Sequence, residues 1–186
     1  VYGNLYPSEA TVTLNTYYGA STDVILHEMT HALGVGGFMI LTTAPMLDDD
    51  DTGDGKYYTG TNGLREYKSY LTSTTGIVGL PVEDDGSTGT EGVHPEEGDS
   101  ITIGSSNIRE VDGVFHPGLE DELMTGVLSS IRSNPLSRIT IGILEDLGYN
   151  VNYDEADSFT ISNQPEPSPE PQPEPEPQED IDPEPA

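Results

Sequence analysis

The sequence predicts an α+β body made of helix and loop with little sheet, followed by an extended acidic tail. Three segments carry the apolar spacing and end signals of helices. One short segment alternates as a strand does. Residues 163–186 hold nine of the chain's 15 prolines, eight acids and no base. Proline at every second position forbids helix and sheet, and its glutamates repel one another, so this part reads as a polyproline-like spacer or tail. The expected organisation is one domain over 1–162 and a Pro/Glu-rich linker or tail over 163–186.

In chain order, Ala10–Thr16 (ATVTLNT) alternates and reads as a strand. Ser21 to Leu33 reads as a helix. Ile25, Met29, Ala32 and Leu33 recur on one apolar face, Ser21 or Thr22 caps it, Asp23 suits the positive end of the helix dipole, and Gly34 stops it. A second helix fits Asn62–Leu71, with Asn62 as cap and Leu64, Tyr67 and Leu71 aligned. A third fits Ser137–Leu147, where Ser137 caps, Leu136 staples, Ile143, Leu144 and Leu147 face inward and Gly148 ends it. The stretches 42–61 and 81–118 are rich in Gly, Asp and Ser and are expected to be loop with short strands.

Charge and composition narrow the function. The 186 residues include 34 Asp and Glu against 6 Lys and Arg, a formal net charge of −28. The tail carries eight of those charges, which leaves −20 on the other 162 residues. Such a surface repels phosphate backbones and anionic lipid, which argues against nucleic-acid binding. No apolar run approaches the roughly 18–20 residues that span a bilayer. With no cysteine, disulfides and thiolate metal sites are excluded, so any metal chemistry must use His and carboxylates.

The chemistry sits in Leu26-His27-Glu28-Met29-Thr30-His31-Ala32-Leu33-Gly34. His27 and His31 are four residues apart on a predicted helix, one turn apart on one side, where both imidazoles can meet one zinc. Glu28 lies about 100° round the helix. There it would not ligate, but it could act as the base for a zinc-activated water. A catalytic zinc site needs a third protein ligand. Glu66 on the second helix is one option, but Gly34 argues against the long continuation that option requires. A third His ten residues after the first is excluded, because Gly37 stands there. His94 and His116 remain, each followed by Pro.

The stretches HEMTHALG (27–34), GLPVEDDGSTGTEGVHPEE (79–97), DELMTG (121–126) and NPLSRITIGILEDLGYNVNY (134–153) together resemble leishmanolysin-type metallopeptidases, metzincins whose third His is displaced by an insertion. The resemblance implies a metzincin-like catalytic domain with a zinc helix, a loop-rich C-terminal subdomain and a late helix. It implies Zn2+ as cofactor, protein or peptide substrates, and hydrolysis with Glu28 as base. It assigns His94, which follows Gly89-Thr90, as the third ligand beside His27 and His31. It places Met124 in the Met-turn below the metal. The segment YTGTNGLREY (58–67) matches family scaffold, which weakens Glu66 as a ligand. Pro95 departs from the family's aromatic residue, and the extra segment 98–117 carries His116 eight residues before Met124. His116 therefore stays as the rival ligand. Only 26 residues precede His27, so the resemblance implies an N-terminally truncated domain.

The acidic run Asp48–Asp51 with Asp54 invites Ca2+, but Thr61 occupies the position where an EF-hand starting at Asp50 needs an acid. The alternative function is a non-catalytic, calcium-binding acidic module of a larger protein. Either reading fits a secreted or cell-surface protein tethered through the Pro/Glu segment.

Overall fold

A computed structural model describes residues 7–14, 21–36, 47–49, 56–83, 89–98, 109–111 and 114–162. It is a small α+β fold. Its helices are α1 (Thr22–Ala32), α2 (Thr61–Ser69) and α3 (Arg138–Asp146), and its short antiparallel strands are β1 (Leu47–Asp49), β2 (Lys56–Tyr58), β3 (Leu80–Val82), β4 (Arg109–Val111) and β5 (Val114–His116). β2 lies between β1 and β3, with Tyr57 opposite Asp48 on one side and Pro81 on the other. β4 and β5 form a separate hairpin in which Arg109 faces His116. Residues 10–14 of the expected early strand are not in a strand, and positions 15 and 16 lie outside the described residues. The expected spacer at 163–186, and with it the domain boundary, also lies outside them. Among the described residues no helix is long and apolar enough to cross a membrane.

α1 starts where its cap signal predicts. The Ser21 hydroxyl accepts from the Val24 amide at 3.2 Å. It ends in a Schellman turn, with Gly34 left-handed at φ 111°, the Gly34 amide donating to His31 O and the Val35 amide to Thr30 O. Its orientation differs from the expectation. The apolar stripe is not buried as a face: Met29 is 52 % exposed and Leu33 is exposed too, Ile25 and Ala32 are half-buried, while His27 and Thr30 are buried. The polar side can be buried because its groups have partners, among them Thr30 Oγ1, which donates to Leu26 O at 2.8 Å. Met29 is therefore not the core filler its place on the stripe suggests.

α2 begins one residue earlier than expected, and Asn62 is not its cap. The cap comes from α3. Asp146 accepts the amides of Asn62 and Gly63, each at 2.8 Å, together with the Tyr58 hydroxyl at 2.9 Å. A carboxylate on the N-terminal amides of a neighbouring helix satisfies donors that a local side chain otherwise would. The two helices can approach this closely because Gly63 and Gly142 meet at the crossing. A Cβ on Gly142 would lie 2.8 Å from Asn62 O. α3 follows expectation closely: Ser137 accepts from the Ile139 amide at 3.1 Å, and Gly148 at φ 103° closes the far end. Glu66 sits on α2 between Arg65 and Arg138, 2.8 Å from each, consistent with a scaffold role.

The core joins Tyr58, Tyr67, Leu80, Leu119, Leu123, Met124, Ile139, Ile143 and Leu147. Burying this many large side chains is the main favourable term available to a domain of this size. Tyr149 packs at its edge and donates its hydroxyl to Leu33 O at 3.0 Å, tying the end of α1 to the end of α3.

Candidate metal centre

Three chain segments supply the site. α1 presents His27 and His31 one turn apart, as their spacing requires. His94 comes from the segment that runs beside β3, where Glu83 N donates to His94 O, Glu96 N donates to Pro81 O, and Val82 bridges Pro95. Pro95 cannot donate, but the bonds on either side of it hold the segment against the strand. The third segment is the turn 122–126, which passes under α1.

The three imidazoles converge. His31 Nε2 lies 2.9 Å from His27 Nε2 and 3.0 Å from His94 Nε2, and the His27–His94 separation is 3.3 Å. Each ring's other nitrogen points to a main-chain carbonyl: His27 Nδ1 to Leu123 O at 2.7 Å, His31 Nδ1 to Val35 O at 2.8 Å, and His94 Nδ1 to Thr90 O at 2.9 Å. A carbonyl only accepts, so each Nδ1 carries the proton and each neutral Nε2 offers a lone pair. Three lone pairs at this distance cannot hydrogen-bond one another. They call for a shared cation, and a tetrahedral zinc with bonds of about 2.0–2.1 Å would space its nitrogens about 3.3 Å apart. The cluster could hold a metal ion. The carbonyl partners fix tautomer and ring orientation, as outer partners of metal-bound His generally do.

The electrostatics agree. Burial is the largest influence on both affected imidazoles, pushing His31 below its ordinary value and His94 down to about 4, with the neighbouring imidazoles acting in the same direction. His31 and His94 are thus held toward the neutral form, the protonation state that ligates. Glu28 follows His27 on α1, half-buried and close enough to His31 to favour its cationic form. Among the described residues it makes no hydrogen bond or ion pair. Met124 is fully buried one residue after the carbonyl that holds His27.

His116 is elsewhere. It is fully buried in β5, its Nδ1 donates to Val114 O at 3.0 Å, and its Nε2 accepts from the Val78 amide at 3.1 Å. With both nitrogens engaged and Tyr57 tilted against the ring, it stands outside the cluster as a satisfied core histidine. Glu66 likewise takes no part.

Several contributors carry no side-chain signal in the sequence. Val35, Thr90 and Leu123 act through their carbonyls, and only the glycines beside Val35 and Thr90 hint at the backbone shape. Gly36 at φ 88° lets the chain pass between Val93 and His31, and a Cβ there would lie 2.5 Å from Val93 O. Of the acidic 48–54 run, Asp48 and Asp49 lie in β1, and Asp50, Asp51 and Asp54 fall outside the described residues. A different carboxylate group, Glu83, Glu96 and Glu97, brings its oxygens within 4.8 Å of one another. Glu96 accepts from the Gly98 amide and Glu97 from the Val127 amide. No protein-family model matches the chain, and no curated protein matches it.

Proposed function

We propose that this chain is a zinc-dependent endopeptidase of the leishmanolysin type, with His27, His31 and His94 as metal ligands and Glu28 as general base. One observation carries the reading: three neutral imidazoles, each locked by a carbonyl on Nδ1, aim their Nε2 lone pairs at one point. A structural core would leave no such convergence of acceptors. Bound zinc would supply Lewis acidity toward a peptide carbonyl and acidify water toward a pKa of about 7. Glu28, on the same helix as two ligands and half-buried, takes the proton of the attacking water and returns it to the leaving amine. Met124 supports the site from below as an apolar floor. The metzincin family, peptide substrates and a secreted or cell-surface setting rest on the motif resemblance.

Elemental analysis for zinc, paired with a general protease assay on wild type and Glu28→Ala, tests the proposal. One zinc per chain in both proteins, with hydrolysis only in wild type, is the expected result. Substoichiometric zinc together with stability that follows Ca2+ would favour the non-catalytic acidic module instead.

A further inference from the structure

We propose that Glu122 is a positioning residue for the imidazole cluster: its buried carboxylate ties the turn carrying Leu123 O to the first turn of α3 and so sets the orientation of His27. The inference rests on the metal-site reading above and extends it to a residue that touches neither metal nor substrate.

Glu122 is fully buried, and four neutral donors converge on it. The Met124 amide donates to Oε2 at 2.6 Å. The Ser137 amide, the Ser137 hydroxyl and the Thr140 hydroxyl donate to Oε1 at 3.0, 2.7 and 2.7 Å. One oxygen therefore holds the turn and the other holds the helix. A buried carboxylate is costly to desolvate, and an apolar side chain would fill the same space without that cost. What an apolar side chain could not do is accept from both places at once. Immediately before the Met124 amide that the carboxylate grips, Leu123 lies with its own amide donating to Pro135 O at 3.0 Å and its carbonyl receiving His27 Nδ1 at 2.7 Å. The turn is also held in an unfavourable shape at its entrance, where Asp121 is left-handed at φ 64°. Asp121 is anchored by Arg132 at 2.7 Å, and the Glu122 carboxylate anchors the chain immediately after it. A shift of this turn moves the carbonyl that fixes one ligand's tautomer, which is how a residue without metal contact alters metal binding.

The test uses Co2+ as probe, following its d–d absorption, with NMR of the His27 Nδ1–H proton in metal-free protein. In wild type we expect one Co2+ per chain and a slowly exchanging His27 Nδ1–H. Glu122→Gln keeps the shape but replaces one acceptor oxygen with a donor. It should weaken Co2+ binding by about tenfold, change the d–d band, and speed exchange of the His27 proton. Asp146→Asn, which loosens the cap of α2 at the other end of α3, is the control for a general loss of stability and should lower Tm while leaving the band unchanged. Wild-type Co2+ affinity, spectrum and proton exchange in Glu122→Gln would overturn the inference. If Glu122→Gln does not fold, Thr140→Val withdraws a single donor. About threefold weaker Co2+ binding then supports the inference and unchanged binding overturns it. Failure of wild type to bind Co2+ would reject the metal site itself, and proton exchange at His27 would still decide the role of Glu122.

Discussion

His31 Nε2 and His94 Nε2 lie 3.0 Å apart across 63 residues of chain, each facing the other with a lone pair. His116 spends its two nitrogens on Val114 O and the Val78 amide. The two candidates for a third ligand should therefore behave differently. His94→Ala is expected to lose bound zinc while the fold survives. His116→Ala is expected to retain one zinc per chain and lose about 2–4 kcal/mol of stability, because it opens a core cavity and removes the acceptor of the Val78 amide. Zinc stoichiometry with urea unfolding on both variants checks this, and zinc loss confined to His116→Ala would reverse the assignment.

Glu28→Gln preserves shape and removes the base. Zinc content should match wild type, and peptide hydrolysis should fall by about 10²–10⁴-fold. Hydrolysis near the wild-type rate in a zinc-loaded variant would exclude Glu28 as the base.

The neutral imidazoles also predict how metal-free stability responds to pH. In the unfolded chain a histidine titrates near 6.5, whereas His94 in the fold stays neutral down to about 4. Between those values the unfolded state binds more protons, so unfolding free energy rises with pH across the window and falls on acidification. His31 shifts in the same direction for the same first cause, burial. Urea midpoints measured with chelator from pH 7 to 4 should drop more steeply for wild type than for His94→Gln. Equal slopes would show that the site does not bury a neutral His94.

Gly36 should resist substitution more than most glycines. At φ 88°, with Val93 O and the His31 ring flanking the missing Cβ, Gly36→Ala combines backbone strain with a clash. A loss of about 1–3 kcal/mol is expected, together with weaker zinc binding, because the shifted chain carries Val35 O, the partner of His31. Thermal unfolding and a competitive zinc titration would reveal it. Wild-type zinc affinity in that variant would mean that the Val35 carbonyl does not orient the ligand.

Much of the site was legible in sequence, and the reasons are local. The four-residue spacing of His27 and His31 fixes their common side on any helix, and Ser21, Gly34, Ser137 and Gly148 are strong local signals of helix ends. All four serve as predicted. His94 could be named only through its motif context, because nothing local brings a residue 63 positions away onto a helix. The face that α1 buries could not be read from apolar spacing. His27 is buried and His31 half-buried because Leu123 and Val35 offer them carbonyls, and periodicity counts Met29 and Leu33 without seeing those partners. Asn62 failed as a cap for a similar reason: Asp146, 84 residues away, reaches the helix end first.

By itself, the sequence determined the two-histidine helix, its adjacent glutamate, the absence of thiolate ligands and the strongly acidic charge, since each depends on residue type or short-range spacing. Tertiary structure alone decided how a distant histidine is brought to the pair, which tautomer each ring holds, and which buried carboxylate braces the turn beneath them. Those outcomes depend on where carbonyls and amides from separate segments come to rest. A main-chain group's position in space is a property of the packed fold, and no side chain in the sequence records it.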